Sequence, residues 1–216
     1  MNARTQQTDI DAQTVSADAL LVQASLEGDA ALLTGFLQRL QAALPGTPTR
    51  LRAALSLTQK ELYAYLHFDR RMLFEKAAAA TLESGLARQC PGLKNIRVSR
   101  LEQLFARGGA SQGSEPVFHY AVEMDPEAGW MPELSDWYDT EHMLGLAAVP
   151  GCVRVERYWN HDHGPGSLAC YDLLSQETLG SPPWLAVRGT PWSDRMRPHF
   201  TNTVRTMFRC VPEAKY

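Results

Sequence analysis

The same order of patterned segments occurs twice in this chain, and that duplication constrains its fold more than any single motif does. In the first half, "ALLVQASLEG" (19–28) has the character of a buried strand, and "DAALLTGFLQRLQAAL" (29–44) spaces apolar residues helically until Pro45-Gly46 stops it. "TRLRAALSL" and "ELYAYLHFD" follow as a hairpin. "RRMLFEKAAAATLESGLARQC" carries the alanine run of a helix, ended by Pro91-Gly92, and "NIRVSRLEQLFA" is a last strand. After "GGASQGSEP", whose small polar residues suit a flexible connector, the order begins again. "PVFHYAVEMD" is a strand, "MPELSDWYDTEHMLGLAAV" a helix closed by Pro150-Gly151, and "CVRVERYWN" with "GSLACYDLL" a hairpin. "ETLGSPPWLAVRGTPWSDRMRPHF" is helix broken by prolines, and "TNTVRTMFRC" is the final strand.

Each half therefore reads β-α-β-β-α-β, a split unit whose antiparallel four-stranded sheet carries both helices on one face. The other face needs cover, and two such sheets in one chain supply it to each other. The expected result is α+β: a pseudo-twofold pair of sheets, face to face or closed as a barrel, with helices outside and a pocket between sheet and loops. The boundaries are a frayed tail over 1–17, a first unit over 18–107, a linker over 108–115, a second unit over 116–211 and a short tail over 212–216.

Composition removes several classes of function. A formal net charge of −3 and the lack of a long Lys/Arg block leave no basic footprint for a nucleic-acid backbone. Cys90, Cys152, Cys170 and Cys210 are spread without CxxC spacing, so they signal reduced thiols in a cytoplasmic protein rather than a zinc ribbon or disulfide framework. The polar first 17 residues lack the apolar core of a signal peptide, and no apolar run approaches a membrane span. His161 and His163 flank Asp162 in a Gly/Pro turn, which without distant ligands at set spacing is too little for a metal site. "RGGASQGSEP" has no GK[ST] ending, and there is no G-x-S-x-G elbow.

The densest chemistry lies in "SDWYDTEHMLGL". At α-helical spacing Leu134, Trp137, Tyr138, Glu141, Gly145 and Ala148 share a stripe, with His142 at its edge. Tyr138 and His142 are an i,i+4 pair, as are Trp137 and Glu141. Burial against a pocket raises a carboxylate's pKa and lowers a histidine's, which makes His142 and Glu141 acid/base candidates. The same residues also suit a helix that packs its aromatics and pairs its charges.

"WYDTEHMLGLAAVPGCVRVERYW" together with the later "TPWSDRMRP" resembles the EthD-like branch of the dimeric α+β barrel superfamily, whose members pair ferredoxin-like units into a barrel. The matching positions are Trp137, Tyr138, Glu141 and His142 on the helix, Pro150, Gly151, Arg157 and Tyr158 leading through the strand, and Thr190, Pro191, Trp192 and Arg195 beyond. The resemblance covers roughly 116–210; the first half matches in element order alone, with no W-Y-x-x-E-H counterpart. It implies two tandem ferredoxin-like units forming a (pseudo)dimeric α+β barrel, one site per chain in the second half, and kinship with cofactor-free enzymes of aromatic and ether catabolism and polyketide cyclisation.

Strand alternation adds candidates. Phe118, Tyr120, Val122 and Met124 suit the helix side of their sheet, which turns His119 and Glu123 to the barrel interior. Val153 and Val155 suit the core, which sends Arg154, Glu156 and Tyr158 to the opposite face and keeps Arg157 with the valines. The expected activity is cofactor-free acid/base chemistry of isomerase, lyase, dehydratase or cyclase type on a small cyclic or aromatic compound. His142, His119 or Glu141 moves a proton, and Tyr138, Trp137, Arg154, Tyr158, Glu123, Trp184 and Trp192 hold the substrate. A cofactor-free monooxygenase and a non-catalytic binding or assembly protein are the alternatives. No metal, nucleic acid or membrane enters any of them, and the chain is expected as a pseudo-twofold monomer or a homodimer.

Overall fold

The computed structural model describes residues 13–27, 32–42 and 50–211. Eight antiparallel strands close into one barrel in the order β1-β3-β2-β8-β5-β7-β6-β4. The first unit contributes β1 (Thr14–Leu26), α1 (Leu32–Ala42), β2 (Arg50–Ser56), β3 (Glu61–Glu75), α2 (Lys76–Gln89) and β4 (Leu93–Gly108). The second contributes β5 (Phe118–Pro126), α3 (Met131–Trp137), α4 (Met143–Ala147), β6 (Cys152–Asn160), β7 (Ser167–Leu173), α5 (Pro182–Arg188), α6 (Pro191–Met196) and β8 (Phe200–Val211). Within each unit the first strand lies between the third and fourth, the ferredoxin-like order, and the units meet at two seams. β2 pairs β8 from Ala53↔Val211 to Ser56↔Phe208, and β4 pairs β6 from Leu101↔Asn160 to Gly108↔Arg154. Closure pairs each described strand with a neighbour on both sides over part of its length, which limits the free edge that could template aggregation.

Apolar residues fill three spaces. Leu20, Val22, Phe36, Leu82 and Leu86 pack α1 and α2 on the outer face of the first sheet. Leu134, Trp137, Leu146, Val155, Tyr171 and Trp184 do the same in the second unit. The barrel interior holds Leu21, Tyr63, Tyr65, Tyr158, Leu168 and Phe208. Alternation assigns these faces as expected: Phe118 and Met124 lie with the helices, while Ala121 and Tyr158 lie inside.

Three local expectations change. The segment "RRMLFE" continues β3 instead of opening α2, because Thr14–Ala17 of β1 pairs with Met72–Glu75; Val15 and Phe74 are both buried. The same pairing makes 14–17 strand rather than tail; the rest of that tail up to residue 12 and residues 212–216 lie outside the described residues. The Gly-rich connector is docked, not free: Gly109, Ala110 and Ser111 donate backbone hydrogen bonds to Val153, Ala147 and Cys152. A Cβ at Gly109 would sit 2.2 Å from the Cys152 carbonyl oxygen, so glycine is required there by the close approach. At the helix-ending Pro-Gly, Gly151 takes φ 91°, the left-handed region that glycine enters without a steric cost.

Candidate functional site

The second unit carries two polar constellations on opposite faces of its sheet. Inside the barrel, side chains two residues apart on five strands converge. Arg52 of β2 bonds Asp172 of β7 and, at 3.0 Å, Glu156 of β6, which also takes Arg50 at 2.6 Å. His119 sits 2.8 Å from Asp172 through Nδ1 and 3.0 Å from the Tyr65 hydroxyl through Nε2. With an ionised Asp172 as acceptor, Nδ1 carries the proton and Nε2 accepts from Tyr65. Further along the interior, the Tyr63 hydroxyl donates to Glu123.

The energetics of this network follow from burial. Burial alone raises the Glu156 and Asp172 carboxyls, but Arg52, with Arg50 at Glu156 and His119 at Asp172, outweighs it and holds both below the ordinary range. His119 is lowered, first by burial and then by Arg52. Glu123 is raised, chiefly by burial. Such a buried network, in which Arg52 Nε is left without a partner among the described residues, adds little net stability over an apolar core, yet removing one member strands a charge. Arg52→Met is therefore expected to lower stability by roughly 3–5 kcal/mol. Adding Glu156→Gln and Asp172→Asn to it restores much of the loss. Urea denaturation midpoints of the two proteins check this; equal midpoints for Arg52→Met and the parent would remove the network from the account of stability.

The second constellation is a pocket between the outer face of the sheet and helices α3 to α6, with a cavity volume of about 50 Å³. A water needs about 10–15 Å³ on this scale, so the space holds a few waters, or the inner part of a ring that enters from the pocket mouth. Tyr120 and Val122 of β5 and Tyr171 of β7 form its floor; Trp137, Tyr138 and His142 form one wall. Trp184 stands edge-on to Tyr171 at 5.3 Å, and Arg188, Arg197 and Arg205 complete the lining.

The wall is shaped by a π-turn that α-helical spacing does not anticipate. Tyr138–His142 lies between α3 and α4, and the Met143 N–H donates to the Tyr138 carbonyl five residues back. The extra residue in this turn rotates the residues after it. Ala148, expected on the apolar stripe, is exposed, and Glu141 is half-buried and accepts from the Thr190 hydroxyl at 2.6 Å. Glu141 thus ties the π-turn to the N-terminus of α6, where Thr190 also caps Ser193, and does not line the pocket. His142, expected at the stripe's edge, turns inward and stacks on Trp137 with ring centroids 4.1 Å apart. A straight α-helix would hold residues five apart well round its circumference from each other.

His142 Nδ1 is enclosed and has no hydrogen-bond partner among the described residues. Burial, and secondarily the guanidinium charges of Arg188 and Arg197, bring its pKa down to about 3. The lining tyrosines move the other way: burial raises Tyr120, Tyr138 and Tyr171, keeping them protonated. Ser193 donates to the Val187 carbonyl. The imidazole is accordingly proton-free at neutral pH but a weak base there, and it gains a proton only where a substrate anion forming beside it offsets the cost of the imidazolium.

The structure brings together Trp137, Tyr138, His142 and Trp184 of the expected site residues and separates the others. His119, Glu123 and Tyr158 lie inside the barrel, across the sheet from His142. Arg154 lies at the barrel mouth, 3.5 Å from Glu156. Trp192 donates to Glu133 at 2.9 Å, outside the pocket lining. Tyr120 was legible as an outer-face residue by alternation, whereas Tyr171 lies on a strand buried on both faces; Arg188, Arg197 and Arg205 come from three separate elements that only tertiary packing joins. Of the turn histidines, His161 lies near Glu102 and His163 near Glu83, while Asp162 grips buried Arg100 through two oxygens. Among the described residues no three His, Cys, Asp or Glu side chains group as metal ligands, and no helix is long and apolar enough to cross a membrane.

The sequence matches no protein-family description and no curated protein. Solved structures do share its fold. A proposed monooxygenase of Fusobacterium nucleatum superposes with a TM-score of 0.60 at 8% identity, covering 91% of this chain and 94% of that one. An anthrone oxidase-like protein gives 0.58 at 10% identity over 94% of each chain. A chlorite dismutase variant from Candidatus Nitrospira defluvii gives 0.58 at 9% identity, over 91% and 92%. The chain thus has the α+β fold of the ferredoxin-like dimeric α+β barrel proteins, with both units in one polypeptide; at these identities the likeness is one of fold.

Proposed function

We propose that the helix–sheet pocket of the second unit is an active site in which His142 accepts a proton from a small, planar, cyclic or aromatic compound. The observation that carries this reading is the buried His142 imidazole, neutral at working pH, set in an aromatic wall beside cationic side chains. Since its pKa lies far below neutrality, the imidazole is proton-free at working pH. The adjacent guanidinium groups favour the anion that proton removal leaves, and that anion in turn favours the imidazolium. Once protonated, the group returns its proton readily, as isomerisation, dehydration or cyclisation demands. In this reading the reaction needs no cofactor. The W-Y-x-x-E-H helix and the Arg-Tyr strand support placing the second unit in the EthD-like branch.

A second reading is a monooxygenase in which the same substrate anion reacts with dioxygen; it is favoured by the names of two structures that share the fold, one a proposed monooxygenase and one anthrone oxidase-like. An oxygen electrode separates the two: stoichiometric, substrate-dependent uptake selects the monooxygenase, and turnover without uptake selects the acid/base enzyme. A binding protein without catalysis would retain the ligand and show neither.

A further inference from the structure

We propose that the ligand of this pocket carries a carboxylate on a small planar ring, the carboxylate held by Arg188 and Arg205 and the ring seated among Trp137, Tyr138 and Trp184. The inference rests on the pocket being a ligand site but is independent of His142 acting as base. Arg188 comes from α5 and Arg205 from β8, where pairing with Val122 turns it to the pocket side of the sheet. The charge of both reaches the Tyr120 hydroxyl, so the two cations share one space.

That space contains no counter-charge. The lining has no aspartate or glutamate, and among the described residues neither guanidinium has an ion pair or hydrogen bond. Arg188 is half-buried and Arg205 exposed at the pocket mouth, whereas the buried arginines are paired: Arg52 with Asp172 and Glu156, Arg100 with Asp162, Arg157 with Asp139. The third pocket arginine, Arg197, is already committed to the Ser193 and Arg188 carbonyls and to Asp194. Two unpaired cations beside an apolar cavity repel each other, and an anion entering between them removes that penalty. The planar guanidinium fork suits a carboxylate in particular.

A second, independent observation points to a ligand deeper in. The indole Nε1 atoms of Trp137 and Trp184 are buried donors without partners among the described residues, like His142 Nδ1. Aromatic faces supply stacking area for a ring, and the charge asymmetry orients it with its anionic end toward Arg188 and Arg205.

Titrating tryptophan emission with benzoate and with its neutral counterpart benzyl alcohol tests the proposal, with melting temperature as the check on folding. Benzoate should saturate the signal and bind about tenfold or more tighter than benzyl alcohol, and Arg188→Gln and Arg205→Gln should each weaken benzoate about tenfold while leaving benzyl alcohol unchanged. Arg107→Gln, which removes an exposed charge outside the pocket, should match the parent. Equal binding of the two probes, or parental benzoate affinity in both pocket variants, overturns the anionic assignment while the ligand-site reading stands. No saturable binding of either probe overturns both.

Discussion

Lowering the pH from 7 toward 4 is expected to unfold this protein, with a stability loss of about 2.7 kcal/mol per pH unit from two histidines alone. His67 and His142 both fall from an ordinary 6.5 to about 3 in the folded state. Burial is the larger cause for each; Arg50, Arg52 and Arg154 add to it at His67, against an opposing Glu156, and Arg188 and Arg197 add to it at His142. Below 6.5 the unfolded chain takes up protons that the folded chain refuses, so stability falls as pH falls, and the loss stops only near 3 where the folded histidines also protonate. His119 shifts the same way and adds to it.

The carboxylates extend the loss. Asp172 and Glu156 are depressed in the fold, so their contribution is present above the unfolded carboxylate range and is lost as pH drops below it. The histidines cost about 4 kcal/mol by pH 5 and about 7 kcal/mol by pH 4, which brings the midpoint near pH 4–5 for a stability at the lower end of the typical range of about 5–15 kcal/mol. Circular dichroism across pH 7 to 3 checks this, and His67→Gln should flatten the upper part of the curve. A protein that keeps its full urea midpoint from pH 7 to 4 would contradict the buried-neutral assignment of both histidines.

Legibility from sequence differs by residue. The duplicated element order was readable because turns and periodic segments are local, and strict alternation placed His119 and Glu123 inside and Tyr120 outside. What failed depended on neighbours distant in sequence. "RRMLFE" has helical propensity, yet pairing with Thr14–Ala17 makes it strand. The facing of His142, which periodicity leaves at the edge of the stripe, is decided locally by a π-turn that breaks the 100° spacing. Glu141 left the site for the same reason. The pocket arginines and the Arg52 network were invisible because neither α5 with β8 nor β2 with β7 is brought together by spacing.

The second large effect concerns His142 itself. His142→Gln keeps a polar side chain of similar length against Trp137 but removes the proton acceptor, so turnover is expected to fall about 10²–10⁴-fold, the range general-base catalysis contributes. Benzoate affinity should stay near the parental value, because the anion contacts lie on Arg188 and Arg205. His119→Gln disturbs only the barrel interior: it should cost stability and leave turnover of the folded fraction largely intact.

The most direct measurement does not require the net reaction to be known. Exchange of an acidic C–H for deuterium in an enolisable aryl keto acid, followed by NMR in heavy water, reports proton abstraction alone. The parent protein is expected to accelerate exchange above buffer, and His142→Gln, with an unchanged melting temperature, to lose about 10²–10⁴-fold of that acceleration. Exchange at the parental rate in folded His142→Gln would show that His142 is not the proton acceptor of this pocket.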